Sequence, residues 1–187
     1  QEIITDPSYA GQIVTFSCPH IGNVGVNAED IESQRVWAEG LVFREITPIT
    51  SNWRSKQYLQ NYLIEHHKIA IANIDTRALI HHLRDKGSQH GCIMAGEIDE
   101  KFAVEQACQY PGLSGVDLAK QVSTPTPYTW LQGKWHLETG YREYKPEELP
   151  HHVVVYDFGV KYNMLRNLVE QGCRLTVVPA KTPASEV

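Results

Sequence analysis

Hydrophobic and polar positions are most regular near the end of the chain. From His152 to Pro179 an apolar run is followed by a sharp glycine turn, an amphipathic stretch closing at Gly172, and a second apolar run. That alternation predicts one β-α-β unit, with strands on either side of a crossover helix. Parallel strands need further strands and a covered second face. Only a short polar stretch follows Ala180, so this unit reads as the start of an α/β domain whose remainder would lie past Val187. A bare strand edge and an uncovered sheet face are expected across Val153 to Val187.

Upstream, the pattern alternates short strands and helices. Ile13 to Phe16 and Val36 to Ile46 have strand-like apolar content, separated by a turn-rich loop from Pro19 to Asn27. A helix capped by Ser55 is predicted to run to about His66, since Tyr58, Leu59, Tyr62 and Leu63 share one face, and Ile69 to Ile74 reads as a buried strand. Asp75 is placed to cap a helix from Thr76 to Lys86, ended by Gly87, before another apolar run from Cys92 to Ala95. Asp99 is placed to cap a helix from Glu100 to Gln109, stopped by Pro111-Gly112. The segments Tyr128 to Gln132 and Trp135 to Thr139 read as a hairpin around Gly133-Lys134, and Arg142 to His151, with two prolines, as an interdomain linker.

A length of 187 residues allows one full domain with a little left over. Hydrophobic content of 42% and charged content of 21% are those of an ordinary globular chain. No apolar run approaches the roughly 20 residues of a membrane span, so no membrane association is expected. The net charge of -5, with no basic stripe, gives no electrostatic reason to bind nucleic acid. The four cysteines, Cys18, Cys92, Cys108 and Cys173, form no ligand-type spacing, which fits a reduced, cytoplasmic protein. The chain does not begin with Met, and both ends read as cut.

The candidate chemistry is sparse. Asp157-Phe158-Gly159 matches the kinase metal-binding tripeptide, but neither an H-R-D loop nor a glycine-rich loop accompanies it. Its physical reading is a strand ending at Asp157 and a tight turn at Gly159, with an exposed helix N-terminus beyond. The same turn lacks the dinucleotide fingerprint. The pairs His66-His67, His81-His82 and His151-His152 suggest metal binding, but adjacent side chains diverge and seldom chelate together. His136-Leu137-Glu138 lies in the predicted hairpin, where cross-strand packing explains it. None of the four cysteines lies in a nucleophile elbow, so no catalytic residue and no metal ligand is assigned.

Four segments carry a resemblance: Gln1 to Ser33, Ile69 to Ile93, Tyr110 to Val122, and Val153 to Ala180. In order and spacing they are similar to the small, glutamine amidotransferase subunit of carbamoyl-phosphate synthetase. The resemblance implies an α/β chain with a swivelling β/β/α N-terminal domain over 1–141, a linker over 142–152, and the first β-α-β unit of a flavodoxin-like class I amidotransferase domain over 153–187. In that family the small subunit hydrolyses glutamine by a cysteine nucleophile with a His/Glu pair. The ammonia passes to a large subunit, which uses bicarbonate and ATP to make carbamoyl phosphate for arginine and pyrimidine synthesis.

Several family features are absent: the opening β-rich segment, the nucleophile elbow and the terminal histidine and glutamate. The 187 residues are therefore expected to be catalytically inactive by themselves, with no cofactor of their own. ATP and a divalent metal would belong to the large-subunit partner. A non-catalytic module that docks onto a large partner is the alternative expectation. One substrate contact carries over: the serine of T-D-P-S-Y, Ser8, is implied to meet the L-glutamine substrate. From the residues alone, Thr5 to Ser8 is a turn in which Ser8 could equally cap local backbone groups.

Overall fold

The computed structural model describes residues 1–187 as a mixed α/β chain with two hydrophobic cores. In order, the elements are α1 (Glu2–Thr5), β1 (Ile13–Thr15), β2 (His20–Ile21), β3 (Gly40–Val42), β4 (Glu45–Ile46), α2 (Leu59–Glu65), β5 (Ile69–Ile71), α3 (Thr76–Lys86), α4 (Glu100–Gln109) and α5 (Leu118–Val122). They are followed by β6 (Tyr128–Trp130), β7 (Gln132–His136), β8 (Gly140–Glu143), β9 (His151–Asp157), α6 (Tyr162–Glu170) and β10 (Cys173–Pro179). No helix is long and apolar enough to cross a membrane.

The N-terminal body is built on a parallel sheet in the order β1-β3-β5, in which Gly40 pairs with Ile13 on one side and Ile69 on the other. The central strand β3 is fully buried, and its Leu41 joins Phe43, Val36, Ala38, Leu59 and Leu63 in the first core. Burying a side chain such as Leu41 or Phe43 contributes about 1.5–3 kcal/mol. The helix ending near His66 forms, but its N-cap is Tyr58 and not Ser55, whose hydroxyl donates to the Gln57 carbonyl. Asp75 and Asp99 cap α3 and α4 as the sequence predicts, accepting from Ala78 N, and from Lys101 N and Phe102 N. Ile69 to Ile74 is shorter than expected and half exposed, because β5 is an edge strand. Cys92 to Ala95 forms no strand.

The second core gathers Leu149, Leu165, Val169, Leu175 and Val177 between α6 and a sheet ordered β6-β10-β9. The predicted β-α-β unit is present, with β9 and β10 parallel and in register from His151↔Cys173 to Asp157↔Pro179. The bare edge expected of this unit is covered on one side: β6 pairs antiparallel with β10, Trp130 opposite Leu175.

That pairing corrects the hairpin. Tyr128 to Trp130 belongs to the second sheet, and the hairpin is β7 with β8, closing between His136 and Gly140. Gly140 sits at φ 70°, which suits glycine at this turn. Gly133 is buried inside β7 for a different reason. The carboxylate of Glu170 and the ring of Tyr144 approach it too closely to admit a Cβ, and Glu170 accepts a 2.9 Å hydrogen bond from Lys134 N. Residues 142–152, expected as a linker, finish β8, form a 3-10 turn at Pro146–Glu148, bury Leu149 in the second core and begin β9.

Candidate functional site

The turn at Asp6–Pro7–Ser8 lies against the carboxyl end of β9. After α1, Asp6 caps a 3-10 turn over Pro7–Tyr9, and its Oδ1 accepts from Ser8 N at 2.9 Å. The Ser8 carbonyl accepts from Gln12 Nε2 at 3.0 Å. Local capping therefore falls to Asp6, and the exposed Ser8 makes no side-chain hydrogen bond within the chain. Of the roles open to a serine in such a turn, the capping one is occupied by its neighbour.

Two contacts fix this turn to the second body. The other carboxylate oxygen of Asp6 pairs with Lys161 Nζ at 3.5 Å. Buried Pro7 lies against Gly159, where an added Cβ would stand 3.0 Å from Pro7 Cβ and 2.9 Å from Val122 Cγ2. Gly159 is also at φ 94°, so the turn and the close approach both require glycine.

Asp157, 5% exposed, organises the strand end. Its Oδ1 accepts from Gly159 N and Val160 N, both at 2.9 Å, and its Oδ2 from Thr124 N at 2.7 Å. Next to it, Ser123 Oγ accepts from Ala180 N at 2.9 Å, just past β10. The Asp-Phe-Gly tripeptide is thus a hydrogen-bonded strand-to-helix turn, as its physical reading predicts. Open α/β sheets bind ligands in the crevice outside the carboxyl ends of their parallel strands, and Ser8 stands beside such an end.

The N-terminus of α6 is not exposed, contrary to the sequence expectation. Glu32, 3% exposed and from the first body, covers it: the Glu32 carbonyl accepts from Tyr162 N at 3.0 Å and its Oε2 from Asn163 N at 2.9 Å. Asn163 Nδ2 donates to Oε1 at 2.6 Å. A carboxylate at this position is favoured by the unpaired amides and by the helix dipole.

Below Glu32 the seam between the two bodies is polar and aromatic, around a cavity of about 370 Å³. Arg166, 4% exposed, lies 4.0 Å over the Tyr141 ring and donates from Nε to Gln132 Oε1 at 3.1 Å. The Tyr141 hydroxyl donates to the Glu29 carbonyl, and burial pushes its pKa up. Arg54 bridges Glu29 at 2.8 Å and Asp30 at 2.7 Å and lies over Trp135; the hydrogen bond to Glu29 chiefly raises its pKa. Glu32 and Arg166 carry no signal in the sequence. Glu32 sits in a polar loop, and Arg166 has the pattern of an ordinary solvated position on an amphipathic helix.

Cys18, Cys92 and Cys108 are exposed and Cys173 half-buried, none of them at a strand-to-helix elbow. His66 packs tilted against the Tyr62 ring with centroids 4.3 Å apart, and His152 meets Thr176 Oγ1 across the second sheet.

Residues 1–93 match the family model described as carbamoyl-phosphate synthase small chain, CPSase domain. The carbamoyl phosphate synthase small chain of Pseudomonas syringae pv. tomato is 58% identical over 189 residues, covering all of this chain and 50% of the relative. That of Thioalkalivibrio sulfidiphilus is 58% identical, covering all of this chain and 49% of the relative, and that of Vibrio cholerae 57% identical, with 100% and 50% covered. The chain therefore spans about half the length of the curated relatives it matches. By this likeness along its whole length, the chain belongs to the carbamoyl-phosphate synthase small-chain family.

Proposed function

We propose that these residues form part of the glutamine-hydrolysing small subunit of carbamoyl-phosphate synthetase, with Ser8 contributing to the glutamine site. In this reading the N-terminal body is the swivelling β/β/α domain and β9-α6-β10 opens a flavodoxin-like amidotransferase domain. Ammonia released from glutamine goes to the large subunit, which carries ATP and a divalent metal and makes carbamoyl phosphate. The observation that carries the reading is the placement of Ser8: beside the carboxyl end of β9, held by Asp6 and Pro7, with its hydroxyl unused by the turn. A serine hydroxyl can donate to the carboxylate of an amino acid and accept from its ammonium group. The reaction itself needs a nucleophile, a base and an oxyanion site, and no residue among these 187 is proposed for those roles.

The test uses a full-length small chain in which this sequence replaces the matching segment of the Pseudomonas syringae relative, assembled with the large subunit. Ser8→Ala is expected to raise KM for glutamine about 2- to 12-fold for a neutral hydrogen bond, and up to about 150-fold for a charge-assisted one, with little change in kcat. Ammonia-driven synthesis bypasses the glutamine site and should be unchanged. Equal loss of glutamine-driven and ammonia-driven synthesis would assign Ser8 to the fold or the subunit interface instead.

A non-catalytic docking module is the second reading. It is favoured by an apolar cleft of about 610 Å³ beside α2 and β5, lined by Phe43, Ile46, Leu63, Ile64 and Ile69, with Ile64 70% exposed. If the 187-residue chain binds the large subunit and Ser8→Ala has no effect on glutamine use in the replaced subunit, this reading is the better one.

A further inference from the structure

We propose that Glu32 is a positioning residue for the glutamine site: it sets where Ser8 stands relative to the carboxyl end of β9. The inference rests on the reading that Ser8 meets glutamine, and it adds a residue that touches neither the substrate nor Ser8.

One end of Glu32 grips the segment that leads into Ser8. Its backbone N–H donates to Thr5 Oγ1 at 3.0 Å, and the next residue, Ser33, donates from Oγ to the Thr5 carbonyl at 2.5 Å. Thr5 is completely buried, and Trp37 N donates to the neighbouring Ile4 carbonyl at 3.0 Å, so α1 cannot shift without breaking this set. Thr5 is followed directly by Asp6 and Pro7, which meet Lys161 and Gly159 immediately ahead of Ser8.

The other end of Glu32 grips the second body. Its carbonyl and both carboxylate oxygens take Tyr162 N, Asn163 N and Asn163 Nδ2 at the start of α6. Lys161, the residue before, closes the circuit back to Asp6. Glu32 thus spans the two bodies at one point, and the circuit of Glu32, Thr5, Asp6, Lys161 and Asn163 includes the residues on either side of the site. A buried carboxylate is costly unless its oxygens are hydrogen-bonded. Here they are held by amide donors that only this relative placement of the bodies supplies. The placement is therefore coupled to the integrity of the Glu32 contacts.

The variants are made in the replaced full-length subunit assembled with its large partner. Glu32→Gln keeps the size of the side chain but turns an N–H toward a donor at the start of α6. KM for glutamine is expected to rise about 5- to 30-fold, the factor that goes with one or two kcal/mol, with kcat within about twofold. Ammonia-driven synthesis should be unchanged. Glu32→Gln combined with Asn163→Asp restores the match, because the new carboxylate accepts from the glutamine side-chain amide while the amide oxygen keeps the backbone N–H at position 163. The double variant should return KM to within about threefold of the parent.

An unchanged KM in folded Glu32→Gln, equal loss with both nitrogen donors, or a double variant no better than the single would overturn the proposal. Should Glu32→Gln fail to fold, Asn163→Ala removes one bond and leaves the backbone cap; a KM unchanged by it would overturn the proposal as well. Ser8→Ala run in parallel separates the two claims. If it leaves KM unchanged, the reading of Ser8 fails. If it raises KM and Glu32→Gln does not, only the positioning role fails.

Discussion

Replacing Asp157 should destabilise the second body more than replacing any exposed helix cap in the chain. Its carboxylate accepts three backbone N–H groups at 2.7 to 2.9 Å while only 5% exposed. Asp157→Asn keeps the shape and can keep the Oδ1 bonds to Gly159 and Val160, but it turns an amide N–H toward Thr124 N. One charge-assisted bond is lost and a buried donor is left unpaired, which costs about 1.5–3 kcal/mol. Asp157→Ala orphans all three donors, and water reaching the new space would satisfy some of them, so about 3–5 kcal/mol is expected. The control is Asp99→Asn at the exposed start of α4, where the asparagine is itself a good cap and a change of at most about 0.5 kcal/mol is expected. Urea unfolding is followed by tryptophan emission, to which Trp130 and Trp135 contribute from the second core and the adjoining hairpin and Trp37 and Trp53 from the N-terminal body. Far-ultraviolet circular dichroism, recorded in parallel, shows whether the two bodies unfold together. Asp157→Asn and Asp99→Asn with the same midpoint would refute the reasoning, since the three bonds would then contribute no more than a solvated cap.

Two further outcomes follow from the second core. Leu165→Ala, at a fully buried position on α6 against Leu175 and Val177, should cost about 2–5 kcal/mol in the same titration; the exposed Met164→Ala one residue earlier should cost far less, and equal costs would mean α6 does not pack as described. The Tyr128 phenol is pushed up to about 12, first by burial and then by Asp157, so the folded state holds its proton where the unfolded chain releases it. Stability from this group is present below the ordinary phenol value near 10 and falls as pH rises through about 12; a Tyr128→Phe variant that loses stability just as steeply over that window in thermal melts would refute the assignment.

Short-range chemistry decides what is legible in the sequence. Asp75 and Asp99 each cap amides two or three residues ahead, so a side chain, a spacing and an apolar period are enough to place α3 and α4. The β9-α6-β10 unit is similarly self-contained, with its own apolar strands and the glycine turn at 159. Failures begin where a partner is distant. Gly133-Lys134 reads as a hairpin turn until Glu170, more than thirty residues on, claims the space over Gly133 and the N–H of Lys134. Tyr128 to Trp130 reads as part of that same hairpin because nothing local shows that β10 offers it a free edge.

The candidate site divides along the same line, and for a reason that reaches its chemistry. In sequence, Ser8 is indistinguishable from an ordinary turn serine, because its surroundings permit both a cap and a contact. In the structure Asp6 caps the turn, and the Ser8 hydroxyl has no partner within the chain. Glu32 has no signal at all, since the donors it meets lie 131 residues away at the start of a helix whose N-terminus reads as free. A residue whose local needs are met by a neighbour is available for something beyond the turn, as Ser8 is. Conversely, a charged residue buried far from any local partner, as Glu32 is, has to be explained by the distant groups that make its burial tolerable. Both conditions are met within a few residues of the carboxyl end of β9, on opposite sides of one circuit. For that reason the proposed substrate contact at Ser8 and the proposed positioning contact at Glu32 have to be tested together.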